Sequence, residues 1–204
     1  MMGKIVPPLR AVFDGMKGAP YDENDTPNPL SVYGRSKLEA EQLVLRYPRS
    51  VVVRPSTLFG SGRMNFCDHI VSRVTAGQAV EAFIDQVTSP TYTEDLAVGI
   101  AELSVAVWSS RDVAWPRTYH IANAGSCSRV AFAHRVAELL GCSRDLIQGI
   151  PMARQQRPAP RPANSALTTI QLASVIRRTL RPWDDALQAY LRQRHPSISL
   201  RMAS

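Results

Sequence analysis

A short apolar run, Ala11-Val12-Phe13, closes on the turn signal Asp14-Gly15 and reads as the end of a strand. Residues 1–10 before it read as an irregular leader, and residues 11–204 as one α/β region. A loop rich in Gly, Pro, Asn and Asp runs from Met16 to Pro29. Pro29, followed by the good helix formers Glu39 and Glu41, sets a helix over roughly Leu30 to Arg46, and Pro48 ends it. Val51-Val52-Val53 is β-branched and continuous. A run without polar alternation fits a strand buried on both faces, as in a parallel sheet. Arg54-Pro55 stops that run.

The alternation continues. A Gly/Ser loop over Gly60–Arg63 leads to a helix from about Asn65 to Ala76, then a strand over Val80–Ile84. Leu96, Ile100, Leu103 and Val107 recur at helical spacing and predict a helix over Glu94–Val107. Thr118–Ala122 reads as a strand, and Ser128–Leu140 as a helix with Gly141 as its C-cap. Periodic segments flank the Pro/Arg-rich stretch 151–164, so it reads as an ordered loop. Leu167–Val175 and Pro182–Arg192 are the last predicted helices. Strands alternating with helices make the fold class α/β.

Composition adds boundaries to that picture. The 204 residues are 45% hydrophobic and 20% charged, a globular profile, and no apolar run reaches the ~18 residues of a membrane helix. The start of the sequence lacks the apolar segment of a secretory signal, which places the chain in the cytoplasm. Cys67, Cys127 and Cys142 are isolated and read as reduced thiols. His69, His120, His134 and His195 show no ligand spacing, so no metal site is expected. The net charge is +7, and with only three lysines, 21 of the 24 basic residues are Arg. The arginines are scattered and no nucleic-acid-binding signature accompanies them. An anionic small molecule such as a nucleotide diphosphate suits the charge equally well, because a guanidinium meets phosphate oxygens in a two-pronged fork, and composition alone does not decide between the two. Arg154, Arg157 and Arg161 are either such a clamp or a solvated face. Asp14, Glu23 and Asp25 read as turn residues, and Phe66 and Phe132 as core.

The sharpest local feature is Tyr33-Gly34-Arg35-Ser36-Lys37. A spacing of four on a helix puts Tyr33 and Lys37 on one face, one turn apart. A tyrosine hydroxyl, titrating near ~10, is a poor acid at neutral pH, and a neighbouring ammonium favours its phenolate. Such a pair can hand a proton to a carbonyl oxygen as hydride reaches the carbon. The spacing alone also fits an exposed Lys beside a half-buried Tyr.

Its surroundings are more specific. Val12-Phe13-Asp14-Gly15-Met16-Lys17-Gly18-Ala19-Pro20-Tyr21 leads through Asn28-Pro29-Leu30 into Val32-Tyr33-Gly34-Arg35-Ser36-Lys37. Further on come Arg54-Pro55-Ser56-Thr57-Leu58-Phe59-Gly60, Asn65-Phe66, Asp85-Gln86-Val87-Thr88-Ser89-Pro90-Thr91-Tyr92 with Asp95-Leu96-Ala97, Thr118-Tyr119-His120 and Arg161-Pro162-Ala163-Asn164-Ser165. In this order the segments resemble the dTDP-4-dehydrorhamnose reductases, an extended short-chain dehydrogenase family. The resemblance implies reduction of a 4-keto nucleotide-deoxysugar with NADPH or NADH. It implies Tyr33 as general acid, with Lys37 as its partner and ribose anchor, and Arg54 and Pro55 beside the cofactor. It implies sugar-nucleotide contacts from Thr57, Phe59, Asn65, Gln86, Tyr92, Arg161 and Asn164. Arg161 would serve the diphosphate.

The sequence departs from that family in three places. The family's strand end before Val12 carries a hydroxyl that polarises the substrate carbonyl, whereas Pro8-Leu9-Arg10-Ala11 offers none. No Gly-x-Gly-x-x-Gly or Gly-x-x-Gly-x-x-Gly occurs to bring a pyrophosphate to a helix N-terminus. A truncated Rossmann-like parallel sheet is therefore expected, with roughly 100 residues of βα units absent, joined to a small α/β substrate-binding region. Such a sheet exposes an edge that a homodimer or a complementing partner chain would cover. Finally, Thr57 stands near where similar reductases carry a large aromatic. The missing glycine-rich turn keeps two other readings open: a non-catalytic binding subunit similar to the regulatory beta subunit of methionine adenosyltransferase, and a truncated product without a function of its own.

Overall fold

The computed structural model describes residues 5–6, 12–109, 115–155 and 157–196. In chain order the elements are β1 (Ile5–Val6), α1 (Val32–Leu45), β2 (Val51–Pro55), β3 (Thr57–Phe59), α2 (Phe66–Thr75), β4 (Val80–Phe83), β5 (Val87–Thr88), β6 (Pro90–Tyr92), α3 (Thr93–Ser109), β7 (Thr118–Ile121), β8 (Cys127–Ser128), α4 (Arg129–Leu139), β9 (Ile147–Ile150), β10 (Asn164–Ser165), α5 (Ile170–Ile176) and α6 (Trp183–Arg194).

The Rossmann-like part is the parallel sheet β1-β2-β7. All five residues of β2 are buried, as the unbroken valine run requires. Its valines pack with Tyr119 and Ile121 of β7, Leu103 of α3 and Leu172 and Val175 of α5. Three two- or three-stranded sheets, β10-β5-β8, β3-β6 and β4-β9, carry the chain into a second core. Phe59, Tyr92, Phe132 and Tyr190 meet there in stacked and edge-on pairs with centroids 5.6–5.7 Å apart. Helices α2, α4 and α6 enclose this cluster. It forms the second region of the fold.

Capping chemistry fixes the helix starts. Ser31 Oγ accepts the Gly34 amide at 3.0 Å at the head of α1. Asn65 caps α2 in a reciprocal box with Asp68. Gly15 holds φ at 82°, and a Cβ there would lie 2.5 Å from Pro162 Cβ. This close approach joins the Val12–Gly15 turn to the Arg161–Ser165 run. Asn164 Nδ2 strengthens the joint by donating to the Lys17 and Ala19 carbonyls at 2.7 and 2.9 Å.

Several expectations change. Ile5–Val6, inside the leader read as irregular, forms β1 and pairs with Val51 and Val52. Ala11 lies outside the described residues, and Val12–Gly15 is a turn instead of a strand end. Val12 and Phe13 are nevertheless buried with Tyr21 and Leu167. β2 runs through Arg54 to Pro55, so that dipeptide does not stop it. α5 starts at Ile170, because Leu167 is taken by a bridge to Tyr21.

The fixed point of α1 is a buried ion pair. Arg54 Nη2 lies 2.7 Å from Glu41 Oε2, and Arg54 Nε lies 3.0 Å from Glu41 Oε1. Their side chains are 6% and 2% exposed. Deleting one partner of such a pair leaves a bare buried charge, a loss of about 3–5 kcal/mol. Arg54→Met and Glu41→Leu singly are therefore expected to lower stability in urea titrations by that amount. The double variant, with both charges gone, should recover most of it. Single variants within about 0.5 kcal/mol of the parent would show the pair contributes nothing.

Candidate active site

Tyr33 and Lys37 sit on the first two turns of α1, and Lys37 Nζ lies 5.4 Å from the centre of the Tyr33 ring. Tyr33 is 48% exposed, so its ring is open to a ligand. Glu41 follows Lys37 by one more turn. Its ion pair with Arg54 pins this face of α1 to β2. The three residues at spacing four thus combine the exposed Tyr33, the half-buried Lys37 and one buried tether.

Arg54 is consequently not a free cofactor ligand. Its guanidinium is engaged by Glu41 and lies 5.3 Å from the centre of the Phe13 ring. Pro55 is buried beside it as the last residue of β2, in register with Ile121.

A second locus is a shallow cleft lined by Thr57, Leu58, Phe59, Phe66, Cys67, Thr88, Pro90, Arg129 and Phe132. The Arg129 guanidinium lies 4.4 Å over the Phe66 ring. Of the residues expected to touch a sugar nucleotide, the cleft brings together Thr57 and Phe59. Gln86 adjoins it: buried, it accepts the Arg129 amide on its carbonyl at 3.0 Å. The others go elsewhere. Asn65 is committed to capping α2 and to the Gly60 carbonyl and the Tyr190 hydroxyl. Tyr92 is 1% exposed, its hydroxyl tied to Gln193. Asn164 serves the loop joint at Gly15. Arg161 is exposed, near enough to Arg157 that its charge, after burial, lowers the Arg157 pKa. Arg157 itself lies 4.8 Å over the Phe83 ring.

A further pair of polar side chains joins the half-buried Glu23 to the buried His120 of β7. The Glu23 carboxylate accepts the His120 amide at 2.9 Å, and burial raises its pKa. It is thus more than a turn residue, unlike Asp14, which accepts the Met16 amide and the Tyr21 hydroxyl at 3.0 and 2.7 Å. His120 Nδ1 lies 3.2 Å from the Thr168 carbonyl. Cys67, Cys127 and Cys142 are unbridged thiols, and burial pushes Cys127 up to about 12. Among the described residues no cluster of three His, Cys, Asp or Glu side chains could hold a metal, and no helix is long and apolar enough to cross a membrane.

Residues 10–195 match the family described as the RmlD substrate binding domain. The chain belongs to the RmlD substrate-binding family. Relatives include the spore coat polysaccharide biosynthesis protein SpsK of Bacillus subtilis, 32% identical over 184 residues, covering 90% of this chain and 62% of that protein. The dTDP-4-dehydrorhamnose reductase of Mycobacterium tuberculosis is 35% identical over 181 residues, covering 88% and 58%. The crystal structure of a dTDP-4-dehydrorhamnose reductase from Clostridium acetobutylicum superposes with a TM-score of 0.82 at 29% identity, covering 93% of this chain and 65% of that one. The Bacillus anthracis reductase, solved in complex with NADP, gives 0.81 at 26% identity with the same coverage. The RmlD-type chain thus spans about 60% of the length of these curated relatives.

Sequence reasoning missed four features of this RmlD-type site. Glu41 was read only as a helix former. Its period of four with Tyr33 and Lys37 was the available signal. Thr88, Phe66 and Arg129 line the cleft through contacts between elements distant in sequence, for which the local pattern holds no signal.

His120 is fully buried, and burial followed by the Arg54 charge lowers its pKa to about 3. In the unfolded chain it titrates near ~6.5. The folded form thus refuses a proton that the unfolded form accepts, and stability is lost as pH falls from ~6.5 toward 3. The His120 imidazole should remain neutral by nitrogen NMR at pH 5, with the urea midpoint falling between pH 7 and 5. A folded imidazolium at pH 5 would contradict this.

Proposed function

We propose that this chain provides the proton-donating and sugar-nucleotide-binding part of an NAD(P)H-dependent reductase acting on a 4-keto deoxysugar nucleotide, of the dTDP-4-dehydrorhamnose reductase type. The observation that carries the reading is the exposed Tyr33 with Lys37 one turn away, on a helix tethered by Glu41, in a chain of this family. The nicotinamide cofactor, when bound, supplies the hydride. Tyr33 then gives its hydroxyl proton to the substrate carbonyl oxygen, and Lys37 stabilises the phenolate left behind. Lys37 also suits the ribose hydroxyls beside a nicotinamide.

The fit to the cofactor is partial. The Tyr33–Lys37 end suits the nicotinamide ribose, while no glycine-rich turn in the 204 residues suits the pyrophosphate. That contact therefore falls to residues outside these 204. On the substrate side, Thr57 and Phe59 in the cleft address the sugar, and Arg161 with Arg157 addresses the diphosphate by paired charge-assisted hydrogen bonds. The reading places the chain in the cytoplasm, where such substrates occur.

Calorimetry on the 204-residue chain tests it. Saturable binding of dTDP-rhamnose is expected, together with weaker NADPH binding that Lys37→Ala reduces at least about tenfold by removing a charged hydrogen bond. If neither ligand binds at millimolar concentration, the reading fails and a non-catalytic scaffold subunit takes its place.

A further inference from the structure

The floor of the cleft carries a chain of hydroxyl groups whose direction follows from counting protons. Thr57 Oγ1 is hydrogen-bonded to Thr88 Oγ1. Thr88 Oγ1 lies 3.1 Å from Ser56 Oγ. Ser56 Oγ lies 3.2 Å from the Ser165 carbonyl and receives the Ser89 amide, also at 3.2 Å. Ser56 and Thr88 are 0% and 2% exposed. Each hydroxyl has one proton and two lone pairs. A carbonyl only accepts and an amide only donates, so the deep end of the chain is fixed.

The Ser56 proton goes to the Ser165 carbonyl, the only acceptor-only group in the chain. The contact to Ser56 is then made by the Thr88 proton, and the contact to Thr88 by the Thr57 proton. All three protons point inward. The open end, the half-buried Thr57 oxygen in the wall of the cleft, keeps only lone pairs. Around it the walls are Leu58, Phe59, Phe66, Cys67, Pro90 and Phe132, with the Arg129 guanidinium over the Phe66 ring. Arg129 only donates, so it serves a ligand's acceptors and leaves the Thr57 oxygen to a ligand's O–H.

We propose that Thr57 is a specificity-determining acceptor, selecting a sugar that points a hydroxyl O–H at the mouth of this cleft. The inference deepens the proposed reductase and rests on it. It also allots the ligand's groups. A ketone oxygen has no proton to donate, so the reacting carbonyl lies outside this spot and a ring hydroxyl lies in it. A ligand deoxygenated at that position forfeits the bond, because Thr57 cannot turn its proton outward without breaking the contact to Thr88.

The probe is dTDP-rhamnose, titrated calorimetrically into the 204-residue chain and its variants. Thr57→Val keeps the shape and removes the acceptor. It should weaken dTDP-rhamnose binding roughly 3- to 10-fold, the worth of one neutral hydrogen bond, and leave binding of dTDP, which has no sugar, within about twofold. Thr57→Ser restores an oxygen at the same place and should stay within about twofold for both ligands. A circular-dichroism melt of each variant separates lost binding from lost folding, and the serine variant carries the test if the valine variant does not fold. Unchanged dTDP-rhamnose binding by Thr57→Val overturns the inference and leaves the reductase reading intact. An equal loss for dTDP and dTDP-rhamnose also overturns it, since the effect would then be general. If the parent chain binds neither, the reductase reading itself fails and the inference falls with it.

Discussion

Glu41 and Arg54 face each other inside the protein, and neither charge could remain there alone. Their fork of hydrogen bonds crosses from the middle of α1 to the end of β2. Among the residues of α1 only Gly34 and Glu41 are buried, and Leu38 adds a partly buried contact with the Val12, Phe13, Tyr21 and Leu167 cluster. An amphipathic helix normally stays in place by an apolar stripe. Here a charge pair takes over part of that role. The constraint is directional in a way that apolar packing is not, because a two-pronged bond fixes rotation about the helix axis as well as position. Tyr33 and Lys37 inherit that rotation, being two turns and one turn upstream on the same face.

The rest of the molecule arranges a second locus around different physics. The aromatic cluster of Phe59, Tyr92, Phe132 and Tyr190 is large, apolar and tightly enclosed by α2, α4 and α6. It supplies rigidity to the cleft that Thr57, Phe59 and Phe132 line. Between this core and the β1-β2-β7 sheet lies the row of hydroxyls from Thr57 to Ser165, which joins β3, β5 and β10 by side-chain contacts. Gly15 against Pro162 and Asn164 against the Lys17–Ala19 loop close the same junction from the other end. The positions of the two loci thus depend on polar contacts across the junction more than on a single continuous core.

Much of this was legible in the sequence. The apolar periods set the six helices to within a few residues, and the valine run of β2 announced a buried parallel strand. The pairs β3-β6 and β10-β5 were not legible, being two or three residues long and joining segments 31 or more positions apart. β1 was hidden because Ile5–Val6 has no periodic context, and pairing with Val51 and Val52 defines it. For the site, Tyr33 and Lys37 stood out through their spacing and their surroundings. Asn65 and Tyr92 did not separate ligand contact from structural duty, since a cap and a buried hydroxyl use the same atoms that a sugar would. The ion pair of Arg54 was not legible either: its partner, Glu41, lies 13 positions away and becomes visible only when α1 folds onto β2.

The central claim is that the Glu41–Arg54 bond sets the place of the Tyr33–Lys37 face. Amide hydrogen exchange measured residue by residue in Glu41→Gln tests it most directly. Glutamine keeps the shape and removes the charge. The account predicts faster exchange along α1, greatest from Tyr33 to Glu41, with the amides of α2 and α4 in the other core unchanged. Equal acceleration across all three helices, or none in α1, would contradict it.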